Sequence, residues 1–167
     1  MATVCDDLID VLGGTEHVLF GFDGTLLRAG ATAWPTPYAD PLVRTLAAVG
    51  TGLAVVTGTP REAVVRYLAG RGLSGCFGPH VHAGAGDALA SLDAAPATSL
   101  MIGATPADLA AAREAGVPFL GYGRAERTAE LLCAAGADRV VPSLEPVLAA
   151  VRAAAHRSAR AHTEQRA

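Results

Sequence analysis

The sequence predicts an α/β protein: a three-layer α/β/α sandwich whose central sheet is mainly parallel. Short apolar runs, such as residues 18–20 and 53–56, have the character of strands that are buried on both faces of a sheet. They alternate with segments of about ten residues that show the apolar spacing of amphipathic helices. Strands and helices in alternation indicate βαβ units and a sheet that is covered by helices on both sides.

The predicted strands are short runs rich in Val, Leu, Ile, Phe or Met that lie between turn residues. In chain order they are residues 17–22, 53–57, 99–103, 118–122 and 139–141. The glycine-rich stretch at residues 71–86 has weaker patterning. A brief strand is predicted there at residues 76–77.

The predicted helices have recognisable start and stop residues. In chain order they are residues 3–12, 40–49, 60–70, 87–94, 107–115, 125–135 and 143–155. Asp40 followed by Pro41 is typical of an N-cap and first helical residue, and Gly50 is typical of a helix end. Thr59 and Thr105 each precede an acidic residue by three positions, which is the spacing of a capping box.

Length and composition predict one domain. A chain of 167 residues with 51% hydrophobic residues can bury a sizeable core but leaves no room for a second large domain. We expect residues 1–155 to form this single domain. Residues 156–167, rich in Arg, His and Gln, are expected to be a polar tail that frays.

Composition also narrows the classes of function. A formal net charge of −3 leaves no general basic surface, so we expect no nucleic-acid partner. No apolar run approaches the roughly 18 residues that span a membrane, and the N-terminus lacks the pattern of a signal peptide. We therefore expect a soluble, cytoplasmic protein without a membrane partner. The cysteines lack metal-ligand spacing, which argues against a zinc site.

The segment after the first predicted strand carries the strongest functional signal. It reads Gly21-Phe22-Asp23-Gly24-Thr25 and begins at the carboxyl end of a strand, where open α/β sheets bind their ligands. It resembles the first motif of the haloacid dehalogenase (HAD) superfamily, Asp-x-Asp-Gly-Thr, whose first aspartate is the nucleophile. The resemblance implies that Asp23 is a former general acid/base and that Gly21 is the vacated nucleophile position. Asp23 and Thr25 are also ordinary turn residues.

Three further segments resemble the remaining motifs of the superfamily, in a phosphoglycolate-phosphatase-like arrangement. The second predicted strand ends in Thr57, which matches the Ser/Thr that holds the phosphoryl group. Ala104 and Asp108 match the two acids of the fourth motif, so the resemblance implies a vacated metal-ligand position at Ala104 and a remaining ligand at Asp108. His82 matches the Lys or Arg of the third motif, the cation position.

The resemblance also implies a phosphate-binding set, formed by Gly24, Thr25, Thr57 and Gly58. Structural alternatives stay open at several positions. Thr57 also fits the end of a buried strand, although the helix that follows it has N-terminal amides that favour anions. Asp108 also fits a capping box with Thr105. His82 also fits a solvated loop histidine.

The altered motifs remove charged groups. With Gly21 and Ala104, two carboxylates of the superfamily's magnesium site are missing, so we expect no cofactor; Mg²⁺ is expected only if the protein is an active hydrolase. The interval between Asp23 and Thr57 holds one loop and one helix, which is too little for an inserted cap domain. A capless, open cleft suits a macromolecular partner or a homo-oligomer.

Two classes of function remain open. In the first, the chain is a pseudophosphatase that has lost phosphomonoester hydrolase activity and binds a phosphorylated ligand or a protein partner in the old cleft. In the second, it is an active hydrolase with atypical residues, in which Asp23 or His82 activates water. Glycine at position 21 favours the first class, because removing one of several groups that act as a unit usually costs orders of magnitude in rate.

Overall fold

The computed structural model describes residues 4–28 and 34–167. Within these residues the strands are β1 (His17–Gly21), β2 (Gly52–Val56), β3 (Val81–His82), β4 (Ser99–Gly103), β5 (Phe119–Tyr122) and β6 (Val140–Val141). They form one sheet in the order β3-β2-β1-β4-β5-β6, and every neighbouring pair is parallel. The predicted parallel α/β sheet is therefore confirmed.

Helices cover both faces of this sheet. They are α1 (Val4–Gly13), α2 (Ala39–Ala48), α3 (Arg61–Gly70), α4 (Ser74–Phe77), α5 (Ala85–Leu92), α6 (Pro106–Glu114), α7 (Glu126–Ala134) and α8 (Glu145–Arg166). In the central strand β1, Val18 and Phe20 face a core that is shared with α1, α2, α3 and α8. Leu19 faces a second core that is shared with α5 and α6. This is the predicted three-layer sandwich.

The direction in which strands are added reverses at β1. The chain places β2 and β3 on one side of β1 and β4 to β6 on the other. In doubly wound sheets a crevice opens at this reversal, outside the carboxyl ends of the strands. The loops that follow β1, β2 and β4 therefore meet at one edge of the sheet.

Among the described residues, no cap domain is inserted between β1 and β2. The described residues of this interval form α2 and an isolated antiparallel pair between Leu27 and Pro35. Residues 29–33 lie outside the described residues and are too few to form a domain. The predicted loop at residues 29–39 is described only from Trp34, and Ala39 already belongs to α2.

The predicted strand at residues 76–77 is wrong, because these residues belong to α4. Phe77 is buried there and packs edge-to-face on Phe20, with ring centroids 6.1 Å apart. The edge strand beside β2 is instead β3, whose two residues pair with Val55 and Val56. A two-residue strand is too short to show an alternating pattern in the sequence.

The predicted N-cap at Asp40 is also wrong. Tyr38 holds the N-cap position of α2 in a left-handed conformation, with φ of 66°. The Asp40 carboxylate instead forms an ion pair with Arg71, which follows α3. The residue types at the start of α2 predicted the helix correctly, but tertiary pairing decided the role of Asp40.

The last helix extends beyond its predicted end. α8 continues to Arg166, and its side chains after Ala155 are exposed. Alanine and arginine have high helix propensity, which favours continuation of the helix without core packing. The predicted fraying of residues 156–167 stays a prediction. Among the described residues, no helix combines the length and apolar character needed to cross a membrane.

Deleting residues 159–167 should change the free energy of unfolding by less than about 0.5 kcal/mol, because their side chains pack against no core. Urea denaturation of the two proteins measures the difference. A longer deletion that also removes the buried Val151 and Ala154 is the matched control and should destabilise the protein strongly. A large loss with the short deletion would show that the tail is part of the folded domain.

Candidate functional site

The candidate site lies at the carboxyl edge of the sheet. Gly21 ends β1 and pairs with Val56, the last residue of β2, while Gly103 ends the neighbouring β4. The parallel register brings the loops after these three strands to one edge. The predicted site residues in these loops are Asp23, Gly24, Thr25, Thr57, Gly58 and Ala104, and Asp108 follows in the first turn of α6.

The chain leaves β1 through a tight turn that exposes Asp23. Gly24 has φ of 80°, a conformation that glycine adopts without strain. Its amide donates to the carbonyl of Leu27 at 2.8 Å, and the amide of Thr25 donates to the carbonyl of Phe22 at 3.2 Å. Because both amides are used inside the turn, neither is free for a phosphate ligand in this conformation.

A hydroxyl from the loop after β2 holds the Asp23 carboxylate. Thr59 Oγ1 donates a hydrogen bond of 2.6 Å to Asp23 Oδ2. The predicted capping box at Thr59 is therefore wrong: Pro60 is the N-cap of α3, and no side chain caps that helix. Sequence reasoning missed Thr59 as a site residue, and its position two residues after Thr57 was the available signal.

Thr57 and Gly58 keep donors that an anion can use. Thr57 Oγ1 accepts a hydrogen bond of 3.1 Å from the Thr59 amide, which leaves the hydroxyl hydrogen free to donate. Gly58 is exposed, and a Cβ built on it would meet nothing within 4 Å. Its amide has no hydrogen-bond acceptor among the described residues. The predicted phosphate-binding role of these two residues stays a prediction.

A side chain from another part of the chain occupies the space at the vacated nucleophile position. A Cβ built on Gly21 would lie 2.8 Å from Asp108 Oδ2 and 3.2 Å from Thr25 Oγ1. A Cβ built on Gly103 would lie 2.5 Å from the Cβ of Asp108. Asp108 therefore lies across the ends of β1 and β4, and in this arrangement only glycine fits at either strand end.

The Asp108 carboxylate is anchored at the N-terminus of α6. Its Oδ2 accepts hydrogen bonds from the amides of Ala104 at 3.0 Å and Thr105 at 3.2 Å. The amide of Asp108 donates to Thr105 Oγ1 at 3.1 Å, which confirms the predicted capping box. Burial raises the pKa of Asp108 above its ordinary value of 3.8; the hydrogen bonds oppose this increase, and the charge of Asp23 adds to it.

Thr25 places a second polar group against Gly21. Its side chain is fully buried, and its hydroxyl has no hydrogen-bond partner among the described residues. An unpaired buried hydroxyl costs about 1–3 kcal/mol and is uncommon in folded proteins. Asp108 and Thr25 thus both lie close to the position that a Cβ on residue 21 would occupy.

His82, at the predicted cation position, ends β3 beside β2. Burial lowers the pKa of His82, and the nearby His80 and Arg61 lower it further, so the ring is neutral at pH 7. Arg61 itself donates to the carbonyls of Val81 and Pro79, at 2.7 and 2.9 Å. The sequence contains no lysine. The positive charge that the third motif supplies in the superfamily therefore has no counterpart at His82.

The residues present do not fit the magnesium ion that the HAD resemblance implies. Mg²⁺ requires near-octahedral oxygen ligands. Position 104 offers an alanine methyl and a main-chain amide, and Asp108 Oδ2 already accepts two amides. Within residues 4–28 and 34–167, no group of three or more His, Cys, Asp or Glu side chains is placed to hold a metal ion.

Solved structures share this fold, although no family model and no curated protein matches the sequence. A predicted phosphoglycolate phosphatase from Haemophilus somnus has a TM-score of 0.66 at 14% identity, over 81% of this chain and 97% of that one. A haloacid dehalogenase-like hydrolase from Streptococcus pneumoniae has a TM-score of 0.67 at 14% identity, over 81% and 98%. A HAD family hydrolase from Deinococcus radiodurans, with bound phosphate and sodium, has a TM-score of 0.66 at 18% identity, over 85% and 97%.

The fold and the site define an α/β protein whose candidate cleft lies at the switch point of a parallel sheet. More specifically, the chain has the fold of the haloacid dehalogenase-like phosphatases and hydrolases. The fold that the sequence motifs implied is therefore confirmed. At these identities the likeness is one of fold, and the chemistry has to be argued from the side chains at the edge of the sheet.

Gly21→Ala should destabilise the protein by about 1–3 kcal/mol, because the new Cβ would overlap the Asp108 carboxylate. In an Asp108→Ser background the cost should be smaller, because the contact is removed. Urea unfolding of the four proteins of this cycle measures the coupling. Gly58→Ala is the matched control in open space and should change stability little. Equal costs of Gly21→Ala in both backgrounds would contradict the proposed contact.

The stability of the wild type should fall relative to His82→Gln as the pH is lowered below 6.5. The folded-state pKa of His82 lies below its ordinary value of 6.5, so the unfolded chain binds the proton more readily in this range. Stability is therefore lost from pH 6.5 downward, towards the lowered folded-state pKa. Denaturation curves at several pH values between 7 and 5 measure the difference. A constant difference would show that His82 titrates normally in the folded protein.

Proposed function

We propose that this protein is a pseudophosphatase: a HAD-like phosphatase-fold protein without phosphomonoester hydrolase activity, whose cleft binds a phosphorylated ligand or a protein partner. The observation that supports this proposal is the arrangement around Gly21. The Asp108 carboxylate fills the space in which a nucleophilic side chain would begin, and it is bound by the amides of Ala104 and Thr105. Hydrogen bonds to two amides stabilise the charged carboxylate and reduce its nucleophilicity.

The charges at the edge of the sheet support the same proposal. Phosphoryl transfer depends on positive charge that neutralises the transferred group while the nucleophile lies in line. Here two carboxylates, Asp23 and Asp108, face the cleft, and the neighbouring His82 is neutral. Arg61 is occupied by two carbonyls of the β3 edge. A phosphate ester in this cleft would lack a nucleophile at position 21 and a positive charge at His82.

The groups that remain are suited to binding. Thr57 has a free hydroxyl hydrogen, Gly58 an open amide, and Asp23 a carboxylate oriented by Thr59. With no cap domain above them, these groups are accessible to a large ligand, which includes a phosphorylated protein or a second copy of this chain. The proposed setting is the cytoplasm, and no nucleic-acid or membrane partner is proposed.

The alternative function is an active hydrolase in which Asp23 or His82 activates water. A neutral His82 can accept a proton, and its Nε2 is buried without a partner among the described residues. This route still needs a cation to bind the phosphate ester, for which Mg²⁺ is the candidate. Activity measured with and without Mg²⁺ distinguishes the two functions.

The purified protein should hydrolyse para-nitrophenyl phosphate and common phosphomonoesters no faster than buffer that contains Mg²⁺. The expected reason is the combined absence of a carboxylate at Gly21 and at Ala104. Release of inorganic phosphate measures the rate. Asp23→Asn and His82→Gln are the control variants. Magnesium-dependent turnover that disappears in either variant would overturn the pseudophosphatase proposal and would support the alternative hydrolase.

A further inference from the structure

The turn between β4 and α6 presents hydrogen-bond donors at the position where the HAD resemblance implies a metal ligand. The amides of Ala104 and Thr105 point to one carboxylate oxygen, at 3.0 and 3.2 Å. Amides at a helix N-terminus attract anions and repel cations. The corner formed by the Ala104 and Thr105 amides therefore favours a negatively charged group, whereas a metal site would favour a cation.

Thr25 gives independent support for a ligand at this corner. It belongs to the loop after β1, is fully buried, and has an unpaired hydroxyl 3.2 Å from the point where a Gly21 Cβ would lie. Asp108 Oδ2 lies 2.8 Å from the same point. The Thr25 hydroxyl makes no hydrogen bond to the Asp108 carboxylate, but it can donate to an oxygen of a larger group, such as a phosphoryl group, that occupies the corner and extends towards Gly21.

We propose that the corner formed by Ala104, Thr105 and Thr25 is an oxyanion site. In the free protein its ligand is the carboxylate of Asp108, and a phosphoryl or carboxylate group binds there by displacing this side chain. This inference rests on the proposed function, because it assigns the anionic group of the ligand to one corner of the cleft. Asp108 then acts as an internal competitor that sets how tightly the cleft binds anions.

The charges around the corner agree with a competing role for Asp108. While its carboxylate is in place, an incoming phosphate meets a like charge at the corner and a second one at Asp23. When the carboxylate is removed, the two amides lose their acceptor, and the Thr25 hydroxyl still has none among the described residues. The cost of these unpaired groups favours binding of any small oxyanion that reaches them.

Asp108→Ala should create a measurable oxyanion site. Acetate reproduces the missing carboxylate, so it should raise the melting temperature of this variant, whereas neutral acetamide should not. Inorganic phosphate should bind the variant at least about tenfold more tightly than the wild type, because the resident charge is gone. The amide resonances of Ala104 and Thr105 should shift during both the acetate and the phosphate titration, and titration curves give the dissociation constants.

Asp87→Ala is the matched control, because Asp87 is also an acidic residue in the first turn of a helix that follows a strand, α5. Acetate and phosphate should change the melting temperature of this variant no more than they change that of the wild type. Adding Thr25→Val to Asp108→Ala should weaken phosphate binding, because the donor that lies towards Gly21 is lost. Adding Asp23→Asn should strengthen binding, because the remaining negative charge is lost.

The inference is overturned if folded Asp108→Ala shows no anion-dependent shift at Ala104 and Thr105. If phosphate shifts only the amide resonances of Thr57 and Gly58, the cleft binds anions but the proposed corner does not. Hydrolysis by the wild type would instead reject the proposed function. If Asp108→Ala does not fold, Asp108→Ser takes its place, and failure of both variants to fold in acetate counts against the inference, since acetate should replace the lost group.

Discussion

The carboxylate of Asp108 lies across the ends of two central strands, and the geometry of the cleft depends on this contact. Two amides at the start of α6 hold the carboxylate, while Gly21 and Gly103 leave room for its side chain. The same side chain caps α6, contacts the ends of two paired strands and occupies the space beside Gly21. The capping of α6 and the packing against Gly21 thus share one physical cause, the position of Asp108.

Charge at the edge of the sheet follows from this arrangement. An active phosphoryl-transfer site combines a carboxylate nucleophile with cations that neutralise the phosphate. Here the carboxylates Asp23 and Asp108 are each satisfied by protein donors, namely Thr59 for the first and main-chain amides for the second. Both carboxylates at this edge of the sheet therefore have hydrogen-bond donors within the protein.

The sequence predicted the parts of the fold in which local pattern and burial agree. β1, β2 and β4 are buried on both faces, so their apolar runs were unambiguous. β3 has two residues at the edge, and α4 is a single turn held by Phe77, so neither has a local period. The motifs located the correct strand ends. They could not reveal that Asp108 contacts Gly21, because that contact depends on the pairing of β1 with β4.

Position 21 and position 108 are coupled by sterics and by charge, and this limits what a single substitution can restore. An aspartate at position 21 would place its Cβ against the Asp108 carboxylate and would bring a second negative charge to the same point. Relief requires either a cation between the two carboxylates or rotation of Asp108 away from the amides of Ala104 and Thr105. A cation between the carboxylates needs a ligand that the side chain of Ala104 cannot provide. Rotation of Asp108 breaks the capping box of α6. A side chain at position 21 is therefore opposed by the packing and hydrogen bonding of Asp108, and the Thr25 hydroxyl lies against the same position.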